Sequence, residues 1–253
     1  MKNSRALVVI PTYNERANIE RLLTEVLSQR SSLDVLVVDD NSPDGTGHVV
    51  KALSGNEPRL KLISRKMKSG LGGAYIAGMT WGLERDYASI VQMDADFSHD
   101  PTDVPRLLDE LNSHDVAVGC RYMPKGRISG WSWGRNALSR GGNWYAMAIL
   151  ALPLFDLTTG FAAWHAETLR RLALSKLQSR GYAFQIELKY RATLAGARIV
   201  EIPIHFRDRS QGKSKMSGSI VREAVLGVLK MRANRAKILS EVTQATPESP
   251  PIS

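Results

Sequence analysis

The chain has 253 residues, 43% of them apolar, enough for the core of one α/β domain with appendages or of two small domains. A single cysteine, Cys120, excludes an internal disulfide and fits a reducing compartment, and the polar start shows no signal-peptide core. The net charge of +9 is segregated: residues 1–118 carry 13 Lys+Arg against 17 Asp+Glu, whereas residues 119–253 carry 21 against 8.

An acidic half suits a metal or a neutral ligand, and a basic half suits phosphates, an anionic membrane or nucleic acid. Residues 6–10 (ALVVI) read as a buried strand ended by Pro11, and 18–29 as a helix through Ile19, Leu22, Leu23 and Val26. Strand 34–38 (DVLVV) precedes the turn NSPDG, in which Asp44 suits a cap on a short helix over 46–53. Strand 60–64, a glycine-rich entry into a helix over 70–84, strand 89–93 (SIVQM), a helix over 105–111 and strand 115–119 follow. This alternation predicts a mostly parallel, doubly wound sheet with helices on both faces.

Beyond Gly119 the rhythm breaks. Residues 120–140, rich in Arg, Gly and Trp, read as a long active-site loop. The uncharged stretch 141–155 is 15 residues long and interrupted by Pro153, short of the ~20 that a span needs. It fits either an interfacial segment or a buried helix. A helix over 182–194, a strand over 198–202 with an edge at Pro203, and an amphipathic basic helix over 217–239 are expected next. The tail 240–253, with three prolines, reads as disordered.

In an open parallel sheet, ligands bind beyond the carboxyl ends of the strands. Three polar clusters fall there: Pro11-Thr12-Tyr13-Asn14-Glu15, Asp39-Asp40 and Asp94-Ala95-Asp96. Asp94 and Asp96 can share a divalent cation with diphosphate oxygens, and an all-oxygen donor set suits Mg2+ or Mn2+. Asp40 can accept from a ribose or a base, while Asp39 suits bracing of the turn. The GLGG run at 70–73 is neither a dinucleotide fingerprint nor a P-loop. In the basic half Arg121 directly follows a buried strand, which sets it apart from the neighbouring charges. Trp131, Trp133 and Trp144 suit a membrane interface or stacking on single-stranded nucleic acid.

The stretches VVIPTYNE, VVDDNSPDGT, KSGLGGAYIAGM, MDADFSHDP, VGCRY, WSWGRNALSRGGN, DLTTGFAAW, GYAFQIEL and IPIHFRDRSQGKSKM span residues 8–216. In this order they resemble the family 2 glycosyltransferases, and within them the dolichol-phosphate mannose synthases. The resemblance implies a GT-A-type catalytic domain over 1–216, followed by the basic helix and the tail. It implies inverting transfer of mannose from GDP-mannose to a polyprenyl monophosphate; the competing readings are UDP-glucose or UDP-N-acetylglucosamine as donor on the same fold, or a non-enzymatic basic module that binds a membrane or nucleic acid. Pro11, Tyr13, Glu15, Val38 and Asp40 match positions that embrace the nucleotide. Asp94 and Asp96 match the metal and diphosphate positions, and Ser98 stands where some relatives carry a metal-holding glutamine. Arg121 and Arg135 match positions that grip the acceptor phosphate. Arg209 and Lys215 match a second basic pair, on a loop able to close over the donor. The implied partners are a nucleotide-sugar, a polyprenyl phosphate and a membrane surface or small membrane protein, with no nucleic acid. The implied place is the cytoplasmic face of a membrane.

Overall fold

Strand β1 (Ala6–Thr12) sends its side chains alternately into two cores, Val8 and Ile10 into one and Leu7 and Val9 into the other. An apolar run without alternation is what a strand covered on both faces requires. The same rule builds β2 (Leu33–Asp39), all of whose residues are buried. Between and after these strands lie α1 (Arg16–Leu27), α2 (Thr46–Ser54), β3 (Leu60–Ser64), α3 (Leu71–Leu83), β4 (Ser89–Gln92), α4 (Asp103–Glu110) and β5 (Val116–Cys120). The second half contributes β6 (Arg127–Ser129), α5 (Trp133–Leu150), β7 (Ala162–His165), α6 (Ala166–Arg171), α7 (Gly181–Leu194), β8 (Ile199–Pro203), β9 (His205–Arg207), α8 (Gly218–Ala233) and α9 (Arg235–Gln244). The computed structural model describes residues 5–67, 70–177, 179, 181–208 and 218–245.

The main sheet has seven strands in the order β3-β2-β1-β4-β7-β5-β8, and β6 pairs with β9 in a separate ribbon. Pairings β3–β2, β2–β1, β1–β4 and β5–β8 are parallel, while β7 runs antiparallel to both β4 and β5. Winding proceeds outward from β1 to β3, then reverses at β4. The reversal opens a crevice between the carboxyl ends of β1 and β4, where doubly wound sheets bind ligands.

Four regions depart from the sequence reading. The expected loop over 120–140 contains β6 and, from Trp133, the first two turns of α5. Gly134, Gly141 and Gly142 weaken the helical signal there, but the Ser132 hydroxyl caps the helix by accepting the Arg135 N–H at 3.3 Å. The basic helix expected over 217–239 breaks at Asn234 into α8 and α9. The expected disordered tail starts too early, because α9 runs on to Gln244. Its Ile238 and Val242, one turn apart, are buried, and its Glu241 accepts from Arg191 Nη2 at 2.8 Å. Arg191 is itself 2% exposed and also donates to Glu187 one turn earlier on α7. Strand β7 was not expected at all. Ala162 and Ala163 carry little apolar signal, yet their small side chains fit the crowded centre of the sheet.

Helix α3 lies so close to the sheet that a Cβ at Gly78 would overlap Val9 Cγ1, and one at Gly82 would lie 2.8 Å from Leu7 Cδ2. Overpacking of this kind costs about 1–3 kcal/mol. Gly78→Ala is therefore expected to lower the urea midpoint by that amount of stability without changing the slope of the transition.

Candidate active site

Each of the three strand ends at the crevice is followed by a non-glycine residue with left-handed backbone: Asn14 (φ 63°), Asn41 (φ 56°) and Phe97 (φ 60°). Such residues persist where the surroundings over-determine them. Asp39 provides part of that determination. Its carboxylate accepts from the Thr12 hydroxyl at 2.8 Å, from the Ser42 N–H at 3.0 Å and from the Ser42 hydroxyl. It braces the turn, as its position suggested, and Asp44 likewise accepts from the Thr46 N–H at 2.9 Å at the start of α2.

Pro11, Tyr13, Glu15, Asp40, Asp94 and Asp96, together with Gly70 and Leu71, line a cleft of about 140 Å3. Asp40 is paired there with Arg65 at 2.9 Å. Val38 is not brought into this cleft. Its side chain is fully buried in the core beneath α3, because it alternates with Val37 and Asp39 along β2.

Asp94 is held from two sides. The Tyr75 hydroxyl donates to its Oδ1 at 2.9 Å, and its own N–H donates to His99 Nδ1 at 3.1 Å. Tyr75 is fully buried, and burial together with the Asp94 charge drives its pKa well above the usual range, so it remains a donor. His99 is stacked on Phe161 at 4.6 Å, and burial lowers its pKa. It is therefore neutral near pH 7, with the proton on Nε2 because Nδ1 accepts. Asp96 is 4% exposed and accepts from both the N–H (3.1 Å) and the hydroxyl (2.6 Å) of Ser98. Ser98 thus positions Asp96, and its hydroxyl proton is committed to that carboxylate. Among the described residues no group of three or more His, Cys, Asp or Glu side chains forms a ligand set. Two carboxylates at a phosphate-sized cleft nevertheless suit a hard divalent ion that completes its shell with diphosphate oxygens and water.

A second cavity of about 150 Å3 adjoins the first and shares Asp94 with it. Arg121 and Arg135 both line it, so the two arginines singled out in the sequence meet there. Arg121 is 6% exposed, with Asp156 as its fully buried counter-ion. Its Nε and Nη2 donate to the two carboxylate oxygens at 2.8 and 2.9 Å, its backbone N–H donates to the same group at 3.1 Å, and Nη2 also donates to Thr158 Oγ1. Burial would push the Asp156 carboxyl up, but the Arg121 charge and hydrogen bonds outweigh it and hold the carboxyl below its ordinary value. Arg135 donates to Asp208 at 2.8 Å and lies 4.3 Å from the centre of the Trp131 ring. The remaining walls, from α5, α7 and α8, include Leu138, Tyr145, Ile186, Val225 and Val228. Arg209 and Lys215 lie outside the described residues.

Lys189 on α7 went unnoticed in the sequence. It is fully buried and donates to the carbonyls of Leu157 and Thr159 at 3.2 and 2.7 Å, so it ties down the segment that carries Asp156 and Thr158. Burial lowers its pKa to about 8, against the opposing pull of Asp156. A lone lysine in a helix gives no sign of this role. Cys120 and His165 serve structure: burial pushes the Cys120 thiol up to about 12, and His165 Nε2 donates to the Leu111 carbonyl at 2.7 Å.

The sequence profile of glycosyl transferase family 2 matches residues 7–176. The chain belongs to that family. As a family 2 glycosyltransferase it is 45% identical over 224 residues to an undecaprenyl-phosphate mannosyltransferase of Micrococcus luteus, covering 88% of this chain and 92% of the relative. It is 44% identical over 239 residues to a polyprenol monophosphomannose synthase of Mycolicibacterium smegmatis, covering 92% and 90%. Among solved structures, glucosyl-3-phosphoglycerate synthase from Mycobacterium tuberculosis, in complex with Mn2+, UDP and glucosyl-3-phosphoglycerate, superposes with a TM-score of 0.69 at 19% identity, covering 91% of this chain and 80% of that one. A mannosyltransferase from Pyrobaculum calidifontis, in complex with GDP-Man and Mn2+, superposes with a TM-score of 0.53 at 18% identity, covering 95% and 73%. The fold of this glycosyltransferase is accordingly of the GT-A type.

The Lys189 environment has a measurable consequence. An unfolded lysine titrates near 10.4, whereas Lys189 titrates at about 8, so between these values the unfolded chain binds more protons than the native one. Stability from this group therefore rises as pH increases from about 8 towards 10. Relative to a Lys189→Met variant, the wild type is expected to gain on the order of 2 kcal/mol over that interval in chemical denaturation.

Proposed function

We propose that the enzyme transfers mannose, with inversion, from GDP-mannose to the phosphate of a polyprenyl monophosphate. The observation that carries this reading is the pair of clefts that meet at Asp94. One is lined by carboxylates at the strand ends; the other combines two arginines with apolar walls. The first suits a nucleoside diphosphate with its metal ion, and the second suits a phosphate head attached to a hydrocarbon chain. The names of the two curated relatives support mannose and a polyprenyl phosphate as the substrates.

A bound Mg2+ or Mn2+ would supply charge neutralisation at the diphosphate leaving group, and Asp94 and Asp96 are the residues that would hold it. The acceptor needs no strong base, because a phosphate monoester already carries about −1.5 to −2 charges at neutral pH. The enzyme must instead align that anion and offset its repulsion from the donor diphosphate. Arg121, whose Nε and Nη2 are held by Asp156 and Thr158, and Arg135, held by Asp208 beside the Trp131 ring, place guanidinium charge on the cavity wall for a phosphate. The neutral His99 and the protonated Tyr75 hold Asp94 in place without taking a proton from the substrate.

The acceptor cavity opens towards an apolar surface. Trp133, Leu138, Trp144, Phe155, Leu226 and Leu229 are exposed on or near α5 and α8, and Leu138 and Val225 also line the cavity. Among the described residues no helix is long and apolar enough to cross a membrane. This face supports peripheral docking, with indole rings at the interface and the lipid tail leaving the cavity between α5 and α8.

Radiolabelled GDP-mannose, a C55 polyprenyl phosphate and Mg2+ or Mn2+ are expected to yield organic-phase counts. EDTA, Asp94→Ala and Asp96→Ala should each reduce them by roughly 10²-fold or more. Equal turnover on a soluble alcohol, or full activity in EDTA, would contradict the assignment. Arg121→Lys should raise the acceptor KM while leaving the donor KM unchanged, because an ammonium cannot keep the paired contacts to Asp156 that aim the charge into the cavity.

A further inference from the structure

Gln185 on α7 is 1% exposed, and the orientation of its amide is set by a relay that begins at a group with no choice of role. The Trp164 indole can only donate, and it donates to Gln92 Oε1 at 2.8 Å. Gln92 Nε2 is then the donor to Gln185 Oε1, at 3.1 Å. The free end of the Gln185 amide must be the NH2 group, and Nε2 has no hydrogen-bond partner among the described residues. A buried donor held this firmly and left unpaired calls for an acceptor that arrives with a ligand.

Gly160 shows where that acceptor would sit. Its φ lies outside the left-handed region, so the backbone does not require glycine. The space is tight: a Cβ would lie 3.2 Å from Gln185 Nε2 and 3.8 Å from Asp94 Oδ1, and these two residues supply the three nearest atoms. The slot above Gly160 is bounded by an amide donor on one side and a carboxylate acceptor on the other. A hydroxyl satisfies both at once, accepting from the amide and donating to the carboxylate. A phosphate oxygen would face the Asp94 charge, and an apolar group would leave both unpaired. Gly160 and Asp94 both line the acceptor cavity, and Asp94 also lines the donor cleft, so the slot lies where the unit in transit must pass.

We propose that Gln185 Nε2, Asp94 Oδ1 and the bare Cα of Gly160 form a subsite for one hydroxyl of the transferred hexose. This rests on the glycosyl-transfer reading above. It makes Gln185 a sugar-binding, specificity-determining residue, because a site built to hydrogen-bond a hydroxyl rejects the analogue that lacks it.

The test uses the full-length enzyme and a panel of donors, each lacking one hexose hydroxyl. Gln185→Met keeps the length of the side chain and removes its amide; Gly160→Ala fills the slot with a methyl group. In the wild type one analogue should lose at least ~10-fold in kcat/KM. In either variant that same analogue should react as fast as the parent sugar donor, while affinity for GDP, which has no hexose, stays at the wild-type value. Penalties that persist unchanged in the variants, or GDP affinity that falls in step with turnover, would overturn the proposal and leave Gln185 a packing residue of α7. Should Gln185→Met not fold, Gly160→Ala decides the matter alone. Wild-type turnover of the parent donor separately tests the underlying reading; no turnover with any nucleotide-sugar would remove both.

Discussion

The buried ion pair between Arg121 and Asp156 is the interaction on which the site depends. It joins the end of β5 to the segment before β7 through both guanidinium–carboxylate hydrogen bonds and a backbone N–H. A guanidinium taken out of water without such a partner would carry a large desolvation penalty, and breaking a buried pair typically costs about 3–5 kcal/mol. The partner also aims the fork. Thr158 on the same segment takes a further N–H of Arg121, and Lys189 pins the segment from below through two carbonyls. The cavity thereby gains a cation whose direction is fixed by the fold.

That rigidity answers an electrostatic difficulty. Transfer to a phosphate requires two anionic groups to approach each other, and the protein must supply compensating charge before they arrive. The sheet divides the work by its topology. The reversal between β1 and β4 gathers carboxylates in one cleft, while β5 and α5 bring arginines to the other. Asp94 forms the shared wall, and its geometry is set by Tyr75 and His99.

Much of this arrangement was legible in the residues. The apolar runs that build β1, β2, β4 and β5 have no other reading in an alternating chain, and the polar clusters at their ends had to converge once the sheet was parallel. Arg121 stood out because a charge directly after a buried strand must find a partner. The partner itself was not legible: Asp156 lies 35 residues further along, and nothing in its local pattern points to Arg121. Lys189, Gln185 and Gly160 were hidden for the same reason, since their roles arise from contacts between α7 and segments remote in the chain. Strand β7 was invisible because antiparallel insertion between parallel neighbours leaves no periodic signature in four residues, two of them alanine. Helix α9 was masked by the prolines beyond it, although the one-turn spacing of Ile238 and Val242 was present in the sequence.

If Asp94 is the common wall of two separate clefts, donor and acceptor must occupy the protein together. Equilibrium binding of a short-chain polyprenyl phosphate to enzyme saturated with GDP and Mn2+ tests this directly. A ternary complex, with acceptor affinity equal to or tighter than that of the GDP-free enzyme, is the predicted result. Mutual exclusion of the two ligands would mean that the arginines and the carboxylates serve a single pocket, and would contradict the two-cleft arrangement.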